Sequence, residues 1–355
     1  MGVIRGLSIT QDANLSPCRF YANLRRNLHK EADYGREEAL IAEGAGLSPA
    51  RYREKTLRLK SSTQASLLNV QRALAPKRPA LKIIFNRKNF LTPFDGGVNE
   101  NLILGGVDLD ENRQPFIIIN LRNLALSALA LAHSASRFEP CSREVHANYV
   151  EPLIVHELLH ALAVGKPARW TGRGQQKYLL PAKRYQEKER RIKIRELVPM
   201  GVSPRPLGQK TPATPSYLGW PNSFTLVLNM LDEGLVEAAM VEFLGFQETD
   251  DLVLHSCYYE EMKLMQKMLG DHSALSLLLS ADPLGELLKL IATGLSPAGA
   301  ALCRQLIFDA GDHFYFEKAY EINGVLPYKF GLSTGAALVL LQIFEQDKRD
   351  RRMTA

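Results

Sequence analysis

The run from Tyr149 to Gly165, YVEPLIVHELLHALAVG, constrains this chain more than any other stretch, because its apolar spacing and its punctuation both call for a helix. Asn148 with Glu151 three residues on has the form of a capping box, Pro152 falls in the first turn, and Gly165 followed by Pro167 is a stop signal. The helix is expected from about 149 to 164. Val150, Leu153, Ile154, Leu158 and Leu162 give it the broad apolar surface of a helix set in a core.

His156 and His160 stand four residues apart on that helix and project from one face, so both imidazoles can reach a single metal ion at about 2.0–2.1 Å. Glu157 is one residue from a ligand. It cannot comfortably bind the same ion, but it can take a proton from water and pass it to a leaving amine. A histidine pair with a glutamate at this spacing also arises by chance, so a second element is required. It lies at Leu231 to Ala239, LDEGLVEAA, within a helical stretch expected from Ser223 to Leu244 and ended by Gly245. Glu233 and Glu237 share a face there. Two histidines leave a catalytic zinc one protein ligand short, the usual completion is a carboxylate, and Glu233 supplies it. Glu237, one turn on, is placed to accept the second ring N–H of His156 or His160 and so fix its tautomer. Such a set suits Zn2+ best, although other divalent ions can occupy it.

HELLH followed by DEGLVEA resembles the gluzincin metallopeptidases, the thermolysin-like group in which HExxH is followed by a glutamate ligand on a second helix. The resemblance covers these two helices. It implies one zinc ion per chain held by His156, His160 and Glu233, with Glu157 as general base and Glu237 supporting a ligand histidine. The implied activity is zinc-dependent hydrolysis of peptide bonds in a protein or peptide substrate. One departure stands out: His160 and Glu233 are 73 residues apart (233 minus 160), against a much shorter connection in thermolysin-like members. The resemblance also implies a Tyr or His downstream of the third ligand that donates to the oxyanion. Tyr328 is the first choice, since it stands where a loop enters a helix; His255, Tyr258, Tyr259 and Tyr315 are the alternatives.

At 355 residues, 46% hydrophobic and 23% charged, the chain is long and apolar enough to bury a sizeable core. Cys18, Cys141, Cys257 and Cys303 form no CxxC pair, which argues against a cysteine-based zinc site and against a disulfide framework; reduced, buried thiols are expected. The first ten residues do not read as a secretory signal, and Gly6 stands where a myristoylation signal needs Ser or Thr. Leu124 to Ala132, the most apolar stretch, is far too short to cross a bilayer. A cytoplasmic chain is expected, a reading compatible with delivery by a route that needs no cleaved signal.

The expected fold is α+β and predominantly helical: a small twisted sheet preceding the HExxH helix and a helical C-terminal half, zincin-like in arrangement. Four regions are expected: a helical N-terminal region over 1–76, sheet plus active-site helix over 77–165, a basic and proline-rich insert over 166–220, and a helical half over 221–355. The first has helices over about 18 to 43 and from Ser48-Pro49 to just before Pro76. Leu81 to Phe85, Asn101 to Leu104 and Phe116 to Leu121 are short β-favouring runs, with Gly105-Gly106 and Asp108 to Gln114 as turns between them. The run 116–121 is either a cleft edge that adds a substrate strand or a buried structural strand. Asn123 to Ser136 reads as a core helix, and His133 and His146 as structural or surface histidines. Later helices are expected over 251–269, 274–293, 296–310 and 336–345, with a frayed basic tail over 348–352.

The insert is the other distinctive feature. Lys166 to Arg195 holds eleven basic residues against two acidic ones, a balance of +9 in a chain whose whole balance is +6. The proline-rich stretch from Pro199 to Pro215 is expected to be an irregular loop. Together they read as a lid or arm attracting an acidic partner, or as a solvated surface loop. Nucleic acid is a weaker partner class, because the run has few aromatic rings beyond Trp170, Tyr178 and Tyr185. Two other functions compete with a peptidase: a zinc-binding, catalytically silent protein that docks an acidic partner through the insert, and a polyanion-binding helical protein in which HELLH is accidental.

Overall fold

The computed structural model describes residues 39, 42–43, 46–86, 104–109, 114–131, 139, 142–165, 168–169, 196–207, 223–247, 250, 258–308 and 329–354. They are α+β and mostly helical, and the chain divides into two compact units, residues 1–161 and 162–355. No helix among the described residues is long and apolar enough to cross a membrane.

In the first unit, helix α1 (Pro49–Leu74) starts as its sequence demands, with the Ser48 hydroxyl accepting from the Arg51 amide at 3.3 Å and proline in the first turn. Its buried face carries Tyr52, Thr56, Leu59, Thr63, Leu67 and Val70 at helical spacing. Thr56 and Thr63 donate to the carbonyls four residues back, so their hydroxyls are satisfied inside the core. The expected helix over 18–43 lies almost wholly outside the described residues.

Strands β1 (Lys82–Asn86), β2 (Gly105–Leu109) and β3 (Pro115–Asn120) form a sheet in the order β1-β3-β2, parallel on one side of β3 and antiparallel on the other. Two expectations change here. Gly105 to Leu109 is a strand, although its glycines and aspartate read locally as a turn; pairing with Pro115 to Ile119 overrides that local preference, while all but Leu104 of the expected run Asn101 to Leu104 lies outside the described residues. Moreover, the 116–121 run cannot be a cleft edge. Phe116 to Asn120 lie in the central strand with partners on both sides, Ile117 and Ile119 are fully buried, and Leu121 already belongs to the next helix. The sheet's outer strands are β1 and β2. Asn120 then caps helix α2 (Leu121–Leu131), its side-chain oxygen accepting from the Asn123 amide at 3.1 Å.

The HELLH helix has a longer lead-in than its sequence suggests. A helical turn opens at Arg143 with Ser142 as its cap, accepting from the Val145 amide at 3.2 Å, and passes through a π-turn at His146–Val150 into α3 (Glu151–Leu162). Asn148 is therefore not a cap; it lies inside the run and its amide donates to the Glu144 carbonyl. Pro152 explains the π-turn. A proline inside a helix has no N–H to donate and its ring crowds the carbonyl four residues back, a conflict that a locally widened turn relieves. Ile154, Leu158 and Leu159 are fully buried, as are Leu59, Leu67, Leu121 and Leu124, each such side chain contributing roughly 1.5–3 kcal/mol.

In the second unit, strands β4 (Ala168–Arg169), β5 (Glu196–Met200) and β6 (Ser203–Leu207) form an antiparallel sheet in that order. Part of the proline-rich stretch is thus a hairpin and not an irregular loop. The residues 208–222 lie outside the described structure, as do most of the basic run. Helix α4 (Ser223–Leu244) has the expected bounds, closed at Gly245 by a bond from the Phe246 amide to the Val241 carbonyl. Helices α5 (Tyr259–Leu269) and α6 (Ala274–Leu278) pack on it.

The single helix expected over 274–293 is broken. Asp282 accepts from the Gly285 amide and Pro283 follows it, a new N-terminus that starts α7 (Pro283–Gly294). Helix α8 (Pro297–Phe308) follows, and α9 (Lys329–Thr354) runs through the basic tail expected to fray. Asp347 is the reason: it binds the Ser296 amide and hydroxyl and pairs with Arg351, whose guanidinium also reaches the Gly294 carbonyl. Burial works to raise the Asp347 pKa, but Ser296 and Arg351 outweigh it and hold the carboxyl below its ordinary value. Cys303 is a free, fully buried thiol, and burial, aided by Asp347, pushes it up to about 12.

Candidate metal centre

Helix α3 sets its two histidines as spacing alone dictates. Their Nε2 atoms stand 3.2 Å apart and their rings meet edge to face at 68°, part-buried. Two nitrogens each ~2.0–2.1 Å from one tetrahedral ion would be about 3.3–3.4 Å apart, so the pair is already at ligand separation. The same distance admits a hydrogen bond in which one ring donates and the other accepts.

Glu233 brings a third donor to the pair. One ligand atom each from His156, His160 and Glu233 lie within 4.8 Å of one another, the one group among the described residues with a donor set for a metal ion. The set is two imidazoles and a carboxylate, the chemistry zinc takes in hydrolytic sites, and its spread exceeds a closed ligand shell by an amount that a glutamate torsion can absorb. The residues therefore fit the ion.

The neighbours of these three are arranged with similar economy. Glu157 is almost fully buried and lies against the edge strand β2: a Cβ built on Gly105 would stand 2.8 Å from its Oε1 and 2.9 Å from its Cγ. Glu237 is also buried, one turn from Glu233 on α4. Gly234 between them lets α5 approach closely, since a Cβ there would lie 2.5 Å from the Glu261 carbonyl oxygen. Tyr149, in the π-turn before the two histidines, has its phenol pushed above the ordinary value of 10 by burial and then by Glu144.

Among the proposed oxyanion donors, Tyr328, His255 and Tyr315 lie outside the described residues; Tyr258 and Tyr259 stand at the start of α5. His133 is likewise outside them. His146 is within the π-turn, where its Nε2 is 2.7 Å from the Ser66 hydroxyl of α1, a tie between the two helices. Sequence reading passed over Gly105 and Asp232. Asp232 was legible only as a member of the DEG triplet, and Gly105 as turn punctuation. No protein-family model matches this chain, and no curated protein or solved structure matches it.

Proposed function

We propose that the protein is a zinc-dependent metallopeptidase in which His156, His160 and Glu233 hold one zinc ion. The observation that carries this reading is the gathering of those three ligand atoms within 4.8 Å from positions as much as 77 residues apart (233 minus 156). A carboxylate can also pair with a histidine without an ion, but two imidazoles and a carboxylate gathered from helices so distant in sequence are the donor set that zinc takes in hydrolytic sites. A bound zinc ion supplies Lewis acidity towards a peptide carbonyl and towards water.

The chain's own groups do the rest. The Glu157 carboxylate takes a proton from the attacking water as its oxygen bonds to the carbonyl carbon, then returns that proton to the nitrogen as the carbon–nitrogen bond breaks. Burial against Gly105 holds the carboxylate in one place through both transfers. Glu237 serves as acceptor for a ring N–H of a ligand histidine, and Tyr328 as donor to the oxyanion. The substrate is a protein or peptide, and the basic run between the two helices favours an acidic one.

Elemental analysis of the purified chain and of Glu233→Ala tests the reading. About one zinc per chain in the wild type, with marked loss in the variant, is expected. Cleavage of a peptide library by the zinc-loaded chain, abolished in Glu157→Gln while zinc is retained, completes it. Wild type that is metal-free and takes up no added zinc overturns the reading; a loaded wild type with no turnover on any peptide makes it a silent zinc-binding protein instead.

A further inference from the structure

The 73-residue connection between His160 and Glu233 has a short cut built into it. The turn of the β5–β6 hairpin, Gly201-Val202, is buried. The Gly201 amide donates to the Ala163 carbonyl at 3.1 Å, and Ala163 directly follows the last residue of α3. That bond satisfies one of the carbonyls a helix leaves open at its C-terminus. On its other side the turn meets Asp232, whose Oδ1 accepts from the Val202 amide at 2.8 Å. Asp232 is 5% exposed, and a carboxylate so deeply buried is costly unless its oxygens are bonded.

Gly201 shows that the fit is specific. Its φ is +55°, and any Cβ there would collide with the Asp232 carboxylate. The turn thus has the one residue that permits both its backbone conformation and its contact. Asp232 immediately precedes Glu233, and Ala163 lies three residues beyond His160. Along the chain the two ligands are far apart; through Ala163, Gly201-Val202 and Asp232 they are a few bonds from a common clip.

Resting on the metal-site reading above, we propose that Asp232 is a positioning residue: by holding the hairpin turn against the end of the HELLH segment it keeps Glu233 at ligand distance. The long insert is then no passive excursion. Its hairpin restores the register between ligands that the extra chain would otherwise leave loose.

The test measures zinc affinity by competition with a chromophoric chelator, and Val202 amide exchange in the metal-free chain, for wild type, Asp232→Ala and Asp232→Asn. Asp232→Ala is expected to weaken zinc about 10–100-fold, the range seen when a group supporting a metal ligand is removed, and to expose the Val202 amide. Asp232→Asn keeps an acceptor oxygen and is expected to restore both, a rescue that loss of a charge alone would not give. Should Asp232→Ala not fold, Gly201→Ala perturbs the same contact from the other side and is expected to weaken zinc likewise. Wild-type zinc affinity in a folded Asp232→Ala chain overturns the proposal, as does Asp232→Asn behaving like Asp232→Ala. A wild type that binds no zinc overturns the metal reading and the positioning role with it, a failure visible before any variant is made.

Discussion

At position 105 a missing side chain fixes where a carboxylate can rest. The Gly105 Cβ position is 2.8, 2.9 and 3.0 Å from Oε1, Cγ and Cδ of Glu157, so the stem of the glutamate would have to move as well as its tip. Gly106 next to it faces open space, and neither glycine is in a left-handed conformation. Two neighbouring Gly→Ala changes should therefore differ in sign. Gly106→Ala is expected to stabilise by about 0.4–1 kcal/mol through the unfolded chain. Gly105→Ala is expected to cost roughly 1–3 kcal/mol by overpacking. It should also lower peptidase turnover with zinc content unchanged, since no ligand is touched. Urea unfolding of both variants, and of Gly105→Ala combined with Glu157→Ala, checks this; the double variant should recover most of the loss. The histidine spacing was plain in the sequence, whereas the Gly105 contact joins residues 52 apart and left no local trace.

At the scale of elements, the hairpin is where local reading failed. Proline lacks the N–H a strand donates, so Pro199, Pro204 and Pro206 argue for a loop; yet Pro199 faces Pro204 and Leu197 faces Pro206 in the ladder. What the register also shows is that the basic run leaves the sheet at Arg169 and returns at Glu196, and these two residues are paired. Residues 170–195 can then be excised and the gap closed with Asn-Gly, the two-residue turn that suits an antiparallel pair. The segment holds nine basic and two acidic residues, a balance of +7, so the chain would pass from +6 to −1. Zinc content of the excised chain is expected to match wild type, while salt-sensitive binding to an acidic peptide is lost. Loss of zinc would instead make the run part of the metal site's support.

For the whole molecule, a metal ion bound by His156, His160 and Glu233 as proposed would be a constraint the unfolded chain cannot reproduce. Zinc at a hundredfold excess over its dissociation constant should stabilise the folded chain by about 2.7 kcal/mol. With an unfolding entropy of about 2.1 cal/mol/K per residue, a chain of 355 residues shifts by roughly 1.3 °C per kcal/mol, so thermal unfolding should shift by about 3–4 °C. A chelator is expected to lower the wild-type midpoint by that amount and to leave Glu233→Ala unmoved. Differential scanning calorimetry with and without chelator reads both; equal midpoints in the wild type would mean that no structural zinc linkage exists.

The sequence alone determined the features that depend on neighbours within a turn or two. These are the shared face of His156 and His160, the start of α1 at Ser48-Pro49, and the bounds of α4 with Glu233 and Glu237 on it. A predominantly helical α+β fold was also legible, from the change of apolar period near residue 81. Only the tertiary structure decided which strand lies at the sheet's edge, that a glycine-rich run pairs as β2, and that the Gly201-Val202 turn is gripped by Asp232. Each of these turns on which distant segment arrives alongside, and a backbone preference read over a few residues carries no information about that arrival.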